Sequence, residues 1–225
     1  MENWLLLFAG IICAVCAVLA FMSGKSKKIK TAVQILWTIS AAAIIFATAL
    51  MVILQVSGRF EYKYVFSHIS LDMAITYKIS ALWSGQEGSF LLWALLMAVM
   101  GFFVLPTSKN KDDKAFGIYA LISMCIFIMC FIIQPFQKTA AVPSDGLGLN
   151  AALQDPWMTL HPPLVFISYS AMAILFSLSA TVHKIHSPKK IALWLRISWI
   201  FLGAGILSGS IWAYRALGWG GYWAW

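Results

Sequence analysis

Long uncharged apolar runs alternate with short polar segments along this chain. Six runs contain no Asp, Glu, Lys, Arg or His: Trp4 to Met22, Thr31 to Gly58, Gly88 to Ser108, Ala115 to Gln137, Pro162 to Val182 and Ile197 to Tyr214. Each run is about long enough to cross a bilayer as a helix, which takes roughly 17 to 25 residues. The runs lack the alternation of barrel strands, and only helices or closed barrels satisfy the backbone in hydrocarbon. The pattern therefore predicts an all-α fold, a polytopic membrane helical bundle with about six transmembrane helices.

Composition agrees with this prediction. The chain has 61% hydrophobic residues, 11% charged residues and a mean hydropathy of +0.84, which is typical of a protein surrounded by lipid. No internal repeat or low-complexity linker divides the sequence. We therefore interpret residues 1–225 as a single membrane domain, with outer loops at 58–84, 134–161 and 212–225.

The basic residues are distributed unevenly between the loops. Ten of the 16 lysines and arginines lie in the loops after the first, third and fifth helices: Lys25, Lys27, Lys28, Lys30, Lys109, Lys111, Lys114, Lys184, Lys189 and Lys190. The positive-inside rule places these loops in the cytoplasm, so a multi-pass membrane protein with both termini on the outer side is predicted. The net charge of +8 is explained by these cytoplasmic loops, and it does not indicate nucleic-acid binding. Because only Glu2 precedes the first apolar run, we expect that helix to remain as an anchor.

Two short motifs have ordinary structural explanations. Cys13 and Cys16 form a C-x-x-C inside an apolar helix, where nothing polar would stabilise a thiolate, so packing is the favoured role. Ser84 and Glu87 match the S-x-x-E capping box, which predicts a helix start there.

The densest aromatic segment is the stretch from Trp212 to Trp225. It holds four of the chain's 11 tryptophans among several glycines. Glycine allows close backbone approach and tryptophan supplies a flat face, so the segment suits a planar ligand. An aromatic belt at the membrane interface is the alternative, and the pattern leaves both open.

His161 is the strongest candidate for a metal ligand. Pro162 and Pro163 follow it, and prolines favour the first turn of a helix, so we expect them to begin the fifth helix with His161 at its outer edge. A neutral imidazole held there is a suitable ligand for iron, while a solvated interface histidine is the alternative. His68 lies in a less constrained loop on the same side and is the weaker candidate.

Three sequence blocks together resemble a known family. The segment Trp219-Gly220-Gly221-Tyr222-Trp223-Ala224-Trp225, led by Trp212 to Gly218, resembles the start of the tryptophan-rich signature of the membrane proteins that handle haem in cytochrome c maturation. Tyr77 to Ser89, and Gly148 through Asp155-Pro156 to His161-Pro162-Pro163, are similar to the CcmF and NrfE branch, the cytochrome c haem lyases. The blocks occur in the family's order.

The resemblance implies a function and a site. It implies that b-type haem, before its attachment, is bound and presented to apocytochrome c for thioether formation. It makes His161 an axial ligand of the haem iron. It implies a haem-binding platform in the tryptophan-rich segment, with Trp212, Trp219, Gly220, Tyr222, Trp223 and Trp225, and Arg215 lies beside that platform as a further candidate for haem binding. It assigns no catalytic residue.

The resemblance also implies partners: a CcmE-like haem chaperone and a CcmH-like thiol-reducing subunit. Relatives continue well beyond the position of Trp225, so we expect this chain to be the N-terminal part of a haem lyase and inactive alone. The C-terminal part of the lyase is then a separate chain, is missing because the gene is truncated, or lies outside this sequence.

Alternatives remain in two places. The chain could instead be a haem transfer protein of the CcmC or CcsA type, or a membrane transport or assembly subunit. Gly205 and Gly209 form a GxxxG, which favours close helix packing and so supports the assembly subunit. Arg215 either binds a haem propionate or extends its side chain to lipid phosphate.

Overall fold

The computed structural model describes residues 2–24, 26–106, 113–181, 188–216 and 218. These residues form eight α-helices: α1 (Glu2–Met22), α2 (Lys27–Val56), α3 (Lys63–His68), α4 (Ile75–Ser80), α5 (Gln86–Met100), α6 (Asp113–Ile133), α7 (Pro156–Ser179) and α8 (Pro188–Ala216). Short 3-10 turns directly follow α4 and α5, and a third precedes α7. Within this part of the chain the only β-structure is an isolated antiparallel bridge between Tyr62 and Lys138.

Six of the helices are long and apolar enough to cross a membrane: α1, α2, α5 with the turn that follows it, α6, α7 and α8. The predicted all-α polytopic bundle with six transmembrane helices is therefore confirmed. The predicted outer loops contain more helix than the apolar runs indicated, because α3 and α4 lie within residues 58–84, and α7 and α8 extend into the other two loops.

The central core joins α2, α5 and α6 around Trp37. The Trp37 ring is fully buried and meets Phe116 edge to face, with centroids 5.2 Å apart. A Cβ atom at Gly101 would overlap this ring, so only glycine lets the end of α5 pass over it. The Tyr119 hydroxyl donates to the Met97 carbonyl oxygen at 2.7 Å, which links α6 to α5.

Helix α1 packs on α2 and α6 through small residues. Cys13 donates its Sγ hydrogen to the Ala120 carbonyl, and Cys16 donates to the Val33 carbonyl. Both thiols are buried and free. The two cysteines therefore have the packing role that the sequence favours.

Helices α7 and α8 form a close antiparallel pair. A Cβ atom at Gly205 would lie 2.7 Å from Val165 Cγ2, and one at Gly209 would lie 2.6 Å from His161 Nδ1. The GxxxG residues of α8 therefore face α7, as their spacing predicts, and they let the two helices approach closely.

Contacts at the helix ends define one end of the bundle, called here the site end, which comprises the start of α1, Tyr62, Phe136, the segment before α7 and the end of α8. The Tyr62 hydroxyl donates to Glu2 Oε1 at 2.9 Å, and the Phe136 amide donates to Asn3 Oδ1 at 3.2 Å. Trp212 near the end of α8 reaches the segment before α7. At the opposite, basic end, Lys30 pairs with Asp113 at 2.9 Å. The start of α1 and the end of α8 therefore lie at the same end.

Candidate functional site

The helix that carries His161 begins earlier than the sequence predicts. Asp155 caps α7, because its Oδ1 atom accepts a hydrogen bond from the Trp157 amide at 2.8 Å, and Pro156 occupies the first turn. The predicted start at Pro162 is wrong, since Asp155-Pro156 is itself a cap followed by a first-turn proline. Pro162 and Pro163 lie inside the helix. His161 is consequently a helical residue rather than an edge residue.

Helix α8 fixes the ring of His161. Its Nδ1 atom lies 2.8 Å from the Gly205 carbonyl oxygen. A carbonyl oxygen only accepts, so Nδ1 carries the proton and a neutral ring has its lone pair on Nε2. Gly209 leaves the space that the ring occupies. Metal-binding histidines commonly have such a hydrogen bond at one ring nitrogen, which orients the other nitrogen.

Trp212 lies against one face of that imidazole. The two ring centroids are 6.3 Å apart and the planes are inclined by 24°. The indole Nε1 donates to the Ala152 carbonyl oxygen at 2.8 Å, so the indole of Trp212 contacts both the segment before α7 and the ring of His161. Trp212 thus connects the last turns of α8 to the segment that leads into α7.

Arg215 forms an ion pair that the sequence analysis did not anticipate. Its Nε atom lies 3.2 Å from Asp155 Oδ2, with the arginine side chain 55% exposed and the aspartate side chain 12% exposed. Asp155 therefore caps α7 with one oxygen and binds α8 with the other. Asp155 was missed as a site residue, although its position before Pro156 is a readable capping signal.

The remaining predicted platform residues lie outside the described part of the chain. These are Trp219, Gly220, Tyr222, Trp223 and Trp225. Gly218, the last described residue, is exposed and has φ +67°, a conformation that glycine adopts readily. The structure therefore brings together His161, Trp212 and Arg215, and adds Asp155 to them.

The ring of His68 is held more firmly than its sequence context indicates. Its Nδ1 atom lies 2.9 Å from the Tyr64 carbonyl oxygen, and the ring stacks on Tyr64 with centroids 4.2 Å apart. A Cβ atom at Gly85 would lie 2.6 Å from Nε2. The expectation of a loosely held His68 is therefore wrong, because the last turn of α3 orients the side chain.

The predicted capping box at Ser84 and Glu87 is also wrong. Gly85 is the cap of α5 and has no side chain to contribute, so Glu87 is the second helical residue rather than the third. The Ser84 hydroxyl instead donates to the Ala81 carbonyl oxygen at 2.9 Å. Glu87 retains the favourable position of a carboxylate in the first turn of a helix.

Comparison with known proteins places the chain in a family. The profile of the family described as "Cytochrome C assembly protein" matches residues 83–225. The cytochrome c-type biogenesis protein NrfE of Haemophilus influenzae is 33% identical over 217 residues, which is 90% of this chain and 34% of that protein. This chain belongs to the cytochrome c assembly protein family.

A second relative and a solved structure support the same family assignment. The cytochrome c-type biogenesis protein CcmF of Escherichia coli K12 is 34% identical over 186 residues, 76% of this chain and 28% of that protein. A solved structure titled "Cytochrome c Heme Lyase CcmF" shares the fold, with a TM-score of 0.76 at 22% identity over 100% of this chain and 38% of that one. This member of the cytochrome c assembly protein family spans about a third of the length of the curated relatives it matches.

Proposed function

We propose that the site end of α7 and α8 binds haem, with His161 as an axial ligand of the iron, and presents it for covalent attachment to apocytochrome c. The observation that carries this proposal is the fixed imidazole: Gly205 accepts from Nδ1, Trp212 lies against the ring, and Nε2 holds the lone pair. The porphyrin already supplies four nitrogen ligands to haem iron, so this chain needs to supply only one oriented imidazole as a protein ligand.

Each residue of the site has a role in holding the ligand. Haem, when bound, supplies the vinyl groups to which cysteine thiols of the apocytochrome add. His161 sets the position of the iron, and Trp212 excludes water from one face of the imidazole. Trp219, Gly220, Tyr222, Trp223 and Trp225 form the aromatic platform against the porphyrin face.

Arg215 is proposed as the ligand of a haem propionate. Arginine has five N–H donors, and the contact with Asp155 engages the Nε hydrogen. The terminal nitrogens then meet a carboxylate in the paired geometry that guanidinium groups favour. The half-exposed side chain supports this role, since an incoming propionate has access to it.

The partners follow from this function. We propose b-type haem delivered by a CcmE-like chaperone, and an apocytochrome c kept reduced by a CcmH-like subunit. The chain acts as the N-terminal part of a haem lyase, and a C-terminal lyase segment, in the same or another chain, supplies the second axial ligand. We place the protein in the bacterial inner membrane with its site end outside the cytoplasm.

Replacing the proposed ligand tests the function. In the assembled lyase, His161→Ala opens a space about the size of an imidazole while keeping a good helix former within α7. The variant is expected to lose bound haem and cytochrome maturation, and added imidazole should restore part of both. His68→Ala is the control, because it removes a comparably held imidazole from α3 and should keep haem. A normal haem spectrum and normal maturation in His161→Ala without imidazole would exclude the axial role.

A further inference from the structure

The carbonyl oxygen of Gly205 that holds His161 receives a second side-chain donor. The Ser208 hydroxyl, one turn further along α8, donates to this oxygen at 2.9 Å, and His161 Nδ1 donates at 2.8 Å. Since α8 is continuous here, the Gly209 amide also points at the same oxygen in the helical ladder. A carbonyl oxygen has two lone pairs, so three donors share them.

Sharing weakens the bond that His161 makes. Ser208 is buried, with 3% of its surface exposed, so water does not draw its hydroxyl away from the carbonyl. Each donor lowers the electron density available to the others. The Nδ1–H···O bond to Gly205 is therefore weaker than it would be with the backbone amide as its only competitor.

The strength of this bond affects the opposite nitrogen of the ring. A strong acceptor at Nδ1 pushes electron density into the imidazole and makes Nε2 a better donor to a metal, and a weaker acceptor has the reverse effect. The reduction potential of a haem iron depends on its axial ligand and on the hydrogen bonds of that ligand. A donor that competes for the Gly205 carbonyl therefore influences the iron without touching it.

We propose that Ser208 is a positioning residue that moderates the donor strength of His161 through the shared Gly205 carbonyl. The inference rests on the proposed axial role of His161 and extends it to a residue on the partner helix. Ser208 raises the reduction potential of the bound iron relative to a site without its hydroxyl, because a less electron-rich imidazole stabilises ferric iron less.

The test compares two serines of α8. Ser208→Ala should lower the reduction potential of haem in the assembled lyase, and in the haem-free protein it should move the Nδ1 proton resonance of His161 downfield. Ser210→Ala is the matched control, because the Ser210 hydroxyl donates to Ile206 at 2.9 Å on the same helix and is also buried. Ser208→Thr retains a hydroxyl and should keep both wild-type values.

Two results would overturn the proposal. One is an unchanged potential together with an unchanged Nδ1 resonance in Ser208→Ala. The other is an equal shift in Ser208→Ala and Ser210→Ala, which would indicate a general change in α8. Failure of the axial role is a separate result, since His161→Ala would then keep its haem spectrum while the haem-free resonance of Ser208→Ala still reports the hydrogen bond.

Discussion

The indole of Trp212 and the imidazole of His161 lie nearly parallel, with centroids 6.3 Å apart and planes inclined by 24°. The residues are on different helices, and each ring is also held by a backbone carbonyl, that of Ala152 for Trp212 and that of Gly205 for His161. The relative orientation of the rings therefore depends on the α7–α8 contact, and changes in that contact should alter ligand binding.

The first prediction concerns the space behind His161. Gly209→Ala places a Cβ atom 2.6 Å from Nδ1, so the imidazole or α8 must shift, and we expect this shift to disturb the bond to Gly205. We expect haem affinity of the assembled lyase to fall by about 10- to 100-fold, the usual effect of disturbing a ligand's supporting contact. Haem titrated into each variant and followed by its Soret absorbance measures this affinity.

Gly203→Ala is the matched control for Gly209→Ala. A Cβ atom at Gly203 meets nothing within 4 Å, and alanine favours helix by roughly 0.8 to 1 kcal/mol over glycine. This variant should bind haem normally and melt at the same temperature or higher. Equal affinity in the two alanine variants would contradict the proposed role of the Gly209 cavity.

The second prediction concerns Arg215. Arg215→Lys keeps the charge but loses the paired donors, so haem retention in the assembled lyase should fall by about tenfold, the effect of one charged hydrogen bond. Trp223→Ala, which removes part of the platform, serves as the positive control. If Arg215→Lys retains haem like wild type while Trp223→Ala loses it, Arg215 does not bind a propionate.

The third prediction uses Asp155 to separate its ion pair with Arg215 from its capping of α7. Asn caps helices as well as Asp does, so Asp155→Asn keeps the bond to the Trp157 amide and removes the charge opposite Arg215. Thermal stability should change by less than about 1 kcal/mol, since the partner is half exposed. Asp155→Ala should cost roughly 1 kcal/mol more through the lost cap. Equal melting temperatures for the Asp155→Asn and Asp155→Ala variants would show that the cap does not contribute to thermal stability.

The fourth prediction concerns alkaline pH. Burial, and then the hydrogen bond to Glu2, raises the pKa of Tyr62 to about 12. The neutral hydroxyl is thus favoured in the folded state, and its stabilisation is complete below the ordinary pKa of about 10 and lost as pH rises from 10 to 12.

Melting curves of wild type and Tyr62→Phe in detergent check this expectation. The melting temperature of wild type should fall more steeply over that pH range than that of the variant, because phenylalanine has no proton to lose. Parallel pH profiles would exclude a contribution from Tyr62.

The fifth prediction concerns membrane orientation. The start of α1 and the end of α8 lie at one end of the bundle, and the Lys30–Asp113 pair lies at the other. Reporter fusions after Lys28 and after Trp225 should therefore report opposite sides, with Lys28 in the cytoplasm. Cytoplasmic activity from both fusions would contradict the assignment.

The number and placement of the spanning helices were predictable because each apolar run is one helix in the structure. Helix starts were less predictable, since Asp155-Pro156 and Pro162-Pro163 both carry first-turn signals and the sequence gives no measure of which prevails. The GxxxG of α8 indicated a close helix contact but not which residues of α7 would lie against the two glycines. That His161 fills the space at Gly209 depends on the register between α7 and α8, which no local pattern contains.

The two prolines inside α7 bear on the depth of the site in the bilayer. Neither has an amide hydrogen, so the helical carbonyls of Met158 and Thr159 lose the donors they would otherwise have. Hydrocarbon would leave such oxygens unsolvated, which favours a position where water reaches this turn. A helix of 24 residues is about 36 Å long and exceeds the roughly 30 Å hydrocarbon core by about one turn. We therefore expect the first turn of α7 to emerge into the headgroup layer, which would leave His161, one turn further along, near the water boundary.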